Sequence, residues 1–199
     1  MSLHCYVALG DSFTAGSASD GSGLRWPDAV AAALDVGRYE NLARDGATSE
    51  DVEREQLGPA LAMEPDLVSL VCGANDVLYS VRPDPVAYAR RMAGMFAHIR
   101  ESAPGAEIVT ATYPDIGRFL QLRERSRARV RRGIEDFNEV CRSVAGHYDV
   151  LCLDWSDHPD TERPDYRSGD GFHPSEEGHR RAAAEVVAAL RNQRKELFA

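Results

Sequence analysis

Residues 5–16 read CYVALGDSFTAG, an apolar run of strand length that ends at Gly10, Asp11 and Ser12 and continues into small residues. The side chains at 5–9 are all apolar or aromatic, so both faces of this strand are expected to be buried. Strands of this kind are typical of parallel sheets covered by helices on both faces. Because a carboxylate and a hydroxyl follow the strand directly, its carboxyl end is also a candidate functional site.

Further runs of strand length follow along the chain, at 39–43, 66–73, 106–113 and 149–155. Stretches with helical spacing lie between and after them, at 26–35, 48–62, 84–103, about 118–147 and 175–198. Strands that alternate with helices predict right-handed crossovers, and hence a doubly wound three-layer α/β/α sandwich of about five parallel strands. The chain has 199 residues, 43% of them hydrophobic, so a single domain over residues 1–199 is expected.

The charge of the chain disfavours nucleic acid as a partner. There are 32 acidic and 23 basic residues, a formal net charge of −9, which would repel a phosphodiester backbone. No apolar stretch approaches the roughly 18 residues that a membrane-spanning helix requires, so no membrane span is expected. The composition carries no signal for an oligomeric state.

The cysteines favour a cytoplasmic location, though the start of the chain leaves an alternative. Cys5, Cys72, Cys141 and Cys152 show no paired spacing and are expected to be free, buried and reduced. The first residues lead into a strand without a basic leader or cleavage site. The alternative is that the opening Met-Ser-Leu is a cloning remnant that replaced a secretion signal.

In a doubly wound sheet, ligands bind outside the carboxyl ends of the strands. The segments in those positions are 10–12, 44–46, 73–76, 114–115 and 156–174. They carry polar side chains of several kinds, and we expect them to converge in space. Asp11 and Asp76 are interpreted as acceptors of backbone hydrogen bonds that hold two of these turns.

Ser12 is the candidate nucleophile, and a serine hydroxyl needs a base within hydrogen-bond reach. Of the six histidines, four lie at the far end of the first strand or within helical stretches, namely His4, His98, His147 and His179. His179 is expected to face solvent or neighbouring elements. The loop after the fifth strand contains His158 and His173. His173 is favoured because Asp170, three residues earlier, can meet its Nδ1 and leave Nε2 free for Ser12.

An acyl-transfer site also needs hydrogen-bond donors for a developing oxyanion. The candidate donors are the backbone N–H of Ser12, a backbone N–H at Gly46 and the side-chain amide of Asn75. Glycine and asparagine are also common in ordinary turns, so each residue alone has that alternative interpretation. Their occurrence at separate strand ends, together with a serine, favours an oxyanion hole.

The residues resemble the SGNH (GDSL-type) hydrolases. GDSFTAG at 10–16 is similar to the GDSL signature, Gly46 to the second block, GAND at 73–76 to the GxND block, and DGFHP at 170–174 to the DxxH block. The resemblance spans nearly the whole chain, with Phe13 in place of the leucine of the signature. It implies a flavodoxin-like fold and a serine esterase, lipase or deacylase that requires no metal or organic cofactor.

Carried over residue by residue, the resemblance makes Ser12 the nucleophile, His173 the base and Asp170 the residue that orients it. Gly46 and Asn75 become oxyanion donors with Ser12. The predicted function is a serine esterase or lipase that cleaves carboxylic esters, of short to medium acyl length, through an acyl-enzyme. Its expected partner is a small-molecule ester, since no long apolar insertion indicates an interfacial lid.

Two other classes of function remain as alternatives. A flavodoxin-like module could bind a phosphate or nucleotide in the small-residue loop after Ser12, although Asp11 would repel a phosphate. A metal hydrolase could use His158, Asp170, His173 and His179, although their spacing matches no regular ligand motif. For substrate binding, the loop with Trp26 and the residues Phe119, Leu120 and Leu122 could form an apolar wall, or could simply pack against helices.

Overall fold

The computed structural model describes residues 3–17, 23–159 and 163–196. Its five strands form one parallel sheet with the order β2-β1-β3-β4-β5. The strands are β1 (Cys5–Gly10), β2 (Arg38–Asn41), β3 (Leu67–Val71), β4 (Glu107–Ala111) and β5 (Leu151–Leu153). The prediction of a doubly wound, flavodoxin-like sheet is confirmed, because this strand order reverses direction between β1 and β3.

Helices connect the strands and cover the sheet. They are α1 (Ser12–Ala15), α2 (Trp26–Ala33), α3 (Ser49–Asp51), α4 (Leu57–Leu61), α5 (Ala74–Tyr79), α6 (Pro85–Ser102), α7 (Glu124–His147) and α8 (Glu176–Glu196). A π-helical segment, Val52–Gln56, joins α3 to α4. Two 3₁₀ turns, Ile116–Arg118 and Pro164–Tyr166, precede α7 and α8. Among the described residues, no helix is both long and apolar enough to cross a membrane.

The core has two halves, one on each face of the sheet. Alternate side chains of β1 serve different halves: Val7 and Leu9 join one cluster, whereas Tyr6 and Ala8 join the other. The first cluster lies against α4, α6 and α7, and the second lies against α2 and α8. A strand buried on both faces explains why its sequence is continuously apolar instead of alternating.

The turn after β1 depends on a glycine. Gly10 has a φ of 153°, and a Cβ at this position would lie 2.3 Å from the carbonyl oxygen of Val71 on β3. The two strands therefore approach each other too closely for any side chain here. Gln56, at the end of the π-helical segment, receives the Gly10 N–H at 2.8 Å and donates to the Gly10 carbonyl at 2.9 Å. Both peptide groups of this turn are thus satisfied by one buried side chain.

The structure differs from the sequence expectation mainly in short elements. α1 and α5 begin directly after β1 and β3, where only turns were expected. The helix expected from about 118 starts at Glu124, because Asp115 accepts the Gly117 N–H at 3.1 Å and stabilises a separate 3₁₀ turn. These elements place residues of the candidate site at helix N-termini close to the sheet.

Candidate active site

Ser12 lies at the first position of α1, directly beyond β1. Asp11 is the N-cap residue of this helix, and its Oδ1 accepts the Phe13 N–H at 3.1 Å. An aspartate N-cap satisfies a backbone donor that a helix leaves unpaired in its first turn. The turn therefore fixes the direction in which Ser12 leaves the sheet.

Asp170 and His173 belong to one tight hairpin between β5 and α8. The Ser168 N–H donates to the His173 carbonyl at 2.9 Å, and Arg167 forms an antiparallel bridge with Pro174. Asp170 Oδ1 accepts the N–H groups of Phe172 and His173, at 2.8 and 2.9 Å. The carboxylate thus organises the hairpin that also carries the imidazole.

The structure brings Ser12, His173 and Asp170 into one hydrogen-bonded chain. His173 Nδ1 lies 2.7 Å from Asp170 Oδ2, and His173 Nε2 lies 2.9 Å from Ser12 Oγ. With the proton on Nδ1, Nε2 is an acceptor for the serine hydroxyl. This arrangement can move a proton from Ser12 to His173 and stabilise the imidazolium that forms.

Partial burial and hydrogen bonding act in opposite directions on Asp170. Burial raises the pKa of its carboxyl group, but hydrogen bonds from His173, Ser168 and the backbone outweigh this effect and hold the pKa well below its ordinary value. Asp170 is therefore a carboxylate throughout the neutral range. It can orient the imidazole without taking up a proton.

Two of the three predicted oxyanion donors line the cleft at Ser12. Ser12 and the buried Asn75, which lies in the first turn of α5, both line it, and the donors predicted for them are the Ser12 N–H and the Asn75 side-chain amide. One amide hydrogen of Asn75 donates to the Ala47 carbonyl at 3.0 Å, which fixes the orientation of the group and leaves its second hydrogen for another acceptor. Gly46, the third predicted donor, directly precedes Ala47 and has a φ of 73°. It is not among the described residues that line the cleft.

Tyr113, which the sequence did not single out, connects β4 to the turn that carries Ser12. Its hydroxyl donates to Asp11 Oδ2 at 2.8 Å, and Asp11 is 1% exposed. Burial raises the pKa of Asp11 to about 6, although the hydrogen bonds from Tyr113 and Phe13 and the nearby His173 lower it in part. The interpretation of Asp11 as a brace for the turn agrees with these contacts.

Asp76, the second aspartate interpreted as a brace, binds the start of α3. Its Oδ2 accepts the Ser49 N–H at 2.8 Å, and its Oδ1 accepts the Ser49 hydroxyl at 2.5 Å. Burial raises its pKa, and the two hydrogen bonds from Ser49 oppose that rise. Asp76 therefore ties the start of α3, which follows β2, to α5, which follows β3.

The two remaining histidines near the site have other environments. His158 Nε2 lies 3.0 Å from Glu185 Oε1, so its ring is paired with α8 and not with Ser12. His179 is fully buried. Of the two environments expected from the sequence, its side chain therefore faces neighbouring elements and does not face solvent. Its ring stacks on Phe13, with 5.9 Å between centroids, and neither ring nitrogen has a hydrogen-bond partner among the described residues.

The cleft beside Ser12 has a volume of about 100 Å³ and walls that are mostly apolar. Its apolar walls include Phe13, Ile116, Phe119, Trp155, Phe172 and Ala182. Phe119 is thus part of the wall, as the sequence suggested. Trp26, Leu120 and Leu122 are not among its lining residues, because Trp26 is fully buried against Phe13 and Leu122 packs against the core.

The four metal-ligand candidates do not form a set. His158 is paired with Glu185, and His179 stacks on Phe13, while Asp170 and His173 bind each other. Within the described ranges, no group of three or more His, Cys, Asp or Glu side chains could hold a metal ion. The phosphate-binding alternative would place a phosphate beside the Asp11 carboxyl group, which is buried in the wall of the cleft and would repel it.

Comparisons with known proteins concern the family and the fold of the chain. The sequence model of the GDSL-like Lipase/Acylhydrolase family matches residues 8–181. A search of curated protein sequences finds no significant match. Many solved structures are similar to this chain over nearly its whole length, and three of them illustrate the range.

A G-D-S-L family protein from Desulfitobacterium hafniense DCB-2 has 20% identity and a TM-score of 0.74, covering 93% of this chain and 98% of its own. The lipase/acylhydrolase from Enterococcus faecalis has 23% identity and a TM-score of 0.74, covering 96% of each chain. Phospholipase A1 from Streptomyces albidoflavus NA297 has 22% identity and a TM-score of 0.68, covering 96% of this chain and 99% of its own. At these identities the likeness establishes a common fold.

Proposed function

Since the chain belongs to the GDSL-like Lipase/Acylhydrolase family and is an ester-cleaving hydrolase, we propose that it hydrolyses carboxylic esters through an acyl-enzyme on Ser12. The observation that carries this proposal is the continuous hydrogen-bonded chain from Ser12 Oγ through His173 to Asp170, at 2.9 and 2.7 Å. A serine activated in this way is the general requirement for acyl transfer at neutral pH.

In the first step, His173 Nε2 takes the proton of Ser12 as the hydroxyl oxygen attacks the ester carbonyl. The new bond converts the carbonyl into a tetrahedral oxyanion, which the Ser12 N–H and the Asn75 amide stabilise, with Gly46 as a third candidate donor. His173 then protonates the leaving alcohol oxygen as the bond from carbon to that oxygen breaks. Asp170 keeps the proton on Nδ1 until the imidazolium forms.

In the second step, His173 takes a proton from water, and the hydroxide attacks the acyl-enzyme. The second tetrahedral oxyanion uses the same donors. Its collapse breaks the bond to Ser12 Oγ, which receives the proton back from His173. The products are the carboxylic acid and the free enzyme, and the steps consume one water molecule for each ester.

The proposed substrates are esters with acyl chains of short to medium length. The cleft beside Ser12 is narrow, at about 100 Å³, and its walls are mainly aromatic and aliphatic. Such walls favour an apolar acyl group, since each buried methylene contributes about 0.8 kcal/mol to binding. The small volume of the cleft favours a short acyl chain.

The test is hydrolysis of p-nitrophenyl acetate and butyrate by the wild type and by Ser12→Ala. We expect the substitution to lower kcat by about 10⁴-fold or more, because the acyl-enzyme can no longer form. Circular dichroism melting should show that the variant keeps its fold. A Ser12→Ala protein with most of its turnover would contradict the proposed mechanism, and a wild type inactive on every ester would favour the binding-module alternative.

A further inference from the structure

Phe119 lies between two neighbouring cavities. One is the cleft of about 100 Å³ that contains Ser12, and the other, of about 490 Å³, extends toward α7. Phe119 lines both, which places this residue in the wall between them. Tyr113, Pro114 and His158 are the other residues common to both linings.

The chemistry changes from one side of this wall to the other. The cleft at Ser12 is lined mainly by apolar side chains, whereas the second cavity contains charged groups, including Arg118, Arg131, Arg142, Glu135 and Asp157. An alkyl chain gains free energy by leaving water for an apolar wall, and it gains little beside charged side chains that remain solvated. An acyl chain therefore has a reason to stop at the ring of Phe119.

Arg167 holds this ring in place. Its guanidinium carbon lies 4.2 Å from the centroid of the Phe119 ring, within the range of a cation–π interaction. Arg167 itself belongs to the hairpin that carries Asp170 and His173, where it bridges to Pro174. The hairpin that carries the imidazole thus also contacts the wall, which links the position of the Phe119 ring to that of His173.

We propose that Phe119, held by Arg167, sets the maximum acyl chain length that the enzyme accepts. This proposal rests on the proposed esterase function and names a specificity determinant within it. Removal of the ring leaves space within the apolar wall at position 119, which about two further methylenes of a longer acyl chain can fill before the chain reaches the charged side chains of the second cavity. Loss of the Arg167 guanidinium frees the ring to move and has the same effect to a smaller degree.

The experiment measures kcat/KM for p-nitrophenyl acetate, butyrate, octanoate and dodecanoate with the wild type, Phe119→Ala and Arg167→Met. Leu120→Ala is the matched control, because Leu120 is the next residue, is half-buried and lines neither cavity. We expect Phe119→Ala to raise the octanoate-to-acetate ratio of kcat/KM by about tenfold or more, the factor that about two additional buried methylenes supply. Arg167→Met should raise this ratio less, and Leu120→Ala should leave it unchanged.

A structural role for the Phe119–Arg167 contact gives a different pattern. If the contact only braces the hairpin of His173, both variants lose kcat by the same factor on every ester, and the ratio stays constant. That result overturns the proposal. Thermal melting of each variant, together with covalent labelling of Ser12 by a fluorophosphonate, establishes that the compared proteins are folded and competent.

A second series of substrates consists of acetate esters of alcohols from methanol to octanol, and their hydrolysis is measured by the release of acid. This series distinguishes a wall that faces the acyl group of the ester from one that faces its alcohol group. If Phe119→Ala changes the preference for alcohol length and not for acyl length, the wall faces the leaving group and the proposal is wrong. A wild type without Ser12-dependent hydrolysis of any ester overturns the proposed function and this inference with it. A Ser12-dependent wild type whose acyl profile is unmoved by Phe119→Ala overturns this inference alone.

Discussion

Glu185 binds the side chain of His158, one of the two histidines in the loop after β5. Its Oε1 lies 3.0 Å from His158 Nε2, and its Oε2 accepts the indole N–H of Trp155 at 2.7 Å. His158 thus stabilises the contact between this loop and α8, although its ring also lines the cleft. His173 is the histidine whose free nitrogen reaches Ser12.

The two histidines should therefore differ in their effect on turnover. His173→Ala removes the only route by which Ser12 loses its proton in the proposed mechanism, and we expect kcat to fall by about 10³-fold or more. His158→Ala should lower kcat by less than about tenfold, since it leaves the Ser12–His173 contact in place. Steady-state kinetics on p-nitrophenyl acetate provides the comparison, and the reverse order of effects would assign the base to His158.

His179 is a buried titratable group that the proposed mechanism does not use. The pKa of His179 is lowered from 6.5 to about 4, mainly by burial and in part by the nearby His173, while Asp28 opposes the change. Between these two pH values the unfolded chain binds a proton that the folded protein does not. Stability contributed by neutral His179 is therefore fully present above pH 6.5 and is lost as the pH falls toward 4.

Asp11 acts in the opposite direction over part of the same range. Its pKa is raised from 3.8 to about 6, so between these values the folded protein binds a proton that the unfolded chain does not. This difference increases stability as the pH falls from 6 to 3.8 and decreases it as the pH rises. The wild-type pH profile contains both effects, and a variant is needed to separate them.

His179→Phe separates them, because the new ring can stack on Phe13 as the imidazole does and cannot be protonated. We expect the free energy of unfolding of this variant to fall less than that of the wild type between pH 7 and pH 4.5, by up to about 3 kcal/mol. Urea unfolding at a series of pH values measures the difference. Parallel profiles for the two proteins would show that His179 is not neutral and buried as described.

At the scale of single elements, the π-helical segment Val52–Gln56 positions the carboxamide of Gln56 on the Gly10 peptide groups. Gln56→Leu would leave the buried Gly10 N–H without its partner, whereas the Gly10 carbonyl keeps the N–H of Arg44, at 3.2 Å. We expect a loss of about 1–3 kcal/mol in the free energy of unfolding, the cost of one unsatisfied buried group. Turnover should fall as well, because Gly10 precedes the turn that carries Ser12.

The exposed Gln121 offers a matched control for that prediction. Gln121→Leu makes the same chemical change outside the core, and its unfolding free energy should stay within about 0.5 kcal/mol of the wild type. Chemical denaturation of the three proteins under one condition provides the comparison. Equal stabilities of Gln56→Leu and Gln121→Leu would mean that the contact with Gly10 does not stabilise the turn.

Elements differ in how far the sequence predicts them. The long helices follow from their apolar periodicity, which extends over many residues, and four of the strands follow from continuous apolar runs. β2 is the exception, since its residues Arg38–Asn41 are polar and partly exposed. The four-residue α1 and the six-residue α5 are too short to show a period, and the π-helical segment has no pattern of its own. His179 lies on the same helical face of α8 as the buried Ala182, Ala183 and Val186, so the spacing of these apolar residues places it on the packed side and the alternative of solvent is wrong.

The candidate site is predictable where its parts are close in sequence. Asp170 and His173 meet within one hairpin, so their spacing is enough to predict the contact. The contact of Tyr113 with Asp11 joins residues 102 positions apart, and only the sheet order brings them together. The structure assembles the predicted chain of Ser12, His173 and Asp170, whereas the catalytic roles, and the place of Gly46 among the oxyanion donors, stay predictions.

For the whole molecule, the strand order explains why the site lies where it does. Ser12 follows β1 and Asn75 follows β3, the two strands between which the sheet reverses its winding. At such a point adjacent connections diverge to opposite faces and leave a crevice. The cleft therefore results from the topology, and its specificity results from the loops that border it.

Removal of metal ions should leave the activity intact. The proposed reaction uses a serine, an imidazole, a carboxylate and hydrogen-bond donors of the chain itself. After dialysis against EDTA we expect kcat/KM for p-nitrophenyl acetate to stay within about twofold of the untreated enzyme, a change of about 0.4 kcal/mol in barrier. A loss that added Zn²⁺ or Mg²⁺ restores would contradict this expectation.

Several whole-molecule expectations from the sequence stay predictions. They concern the single domain, the cytoplasmic location and the absence of nucleic-acid binding.

The four cysteines are free, and three of them are buried, with Cys152 half-buried. Burial raises the pKa of the Cys72 thiol well above its ordinary value, so this sulfur is a weak nucleophile at neutral pH.

The hydrogen bond between Ser12 and His173 joins residues 161 positions apart. Closing so long a segment of chain costs conformational entropy. Local helix formation cannot offset this cost, so the packing of the sheet has to offset it. Secondary structure alone does not bring the hairpin to Ser12, since the contact requires the packed arrangement of β1, β5 and α8. Hydrolytic activity is therefore a readout of the completed tertiary structure and not of its secondary structure.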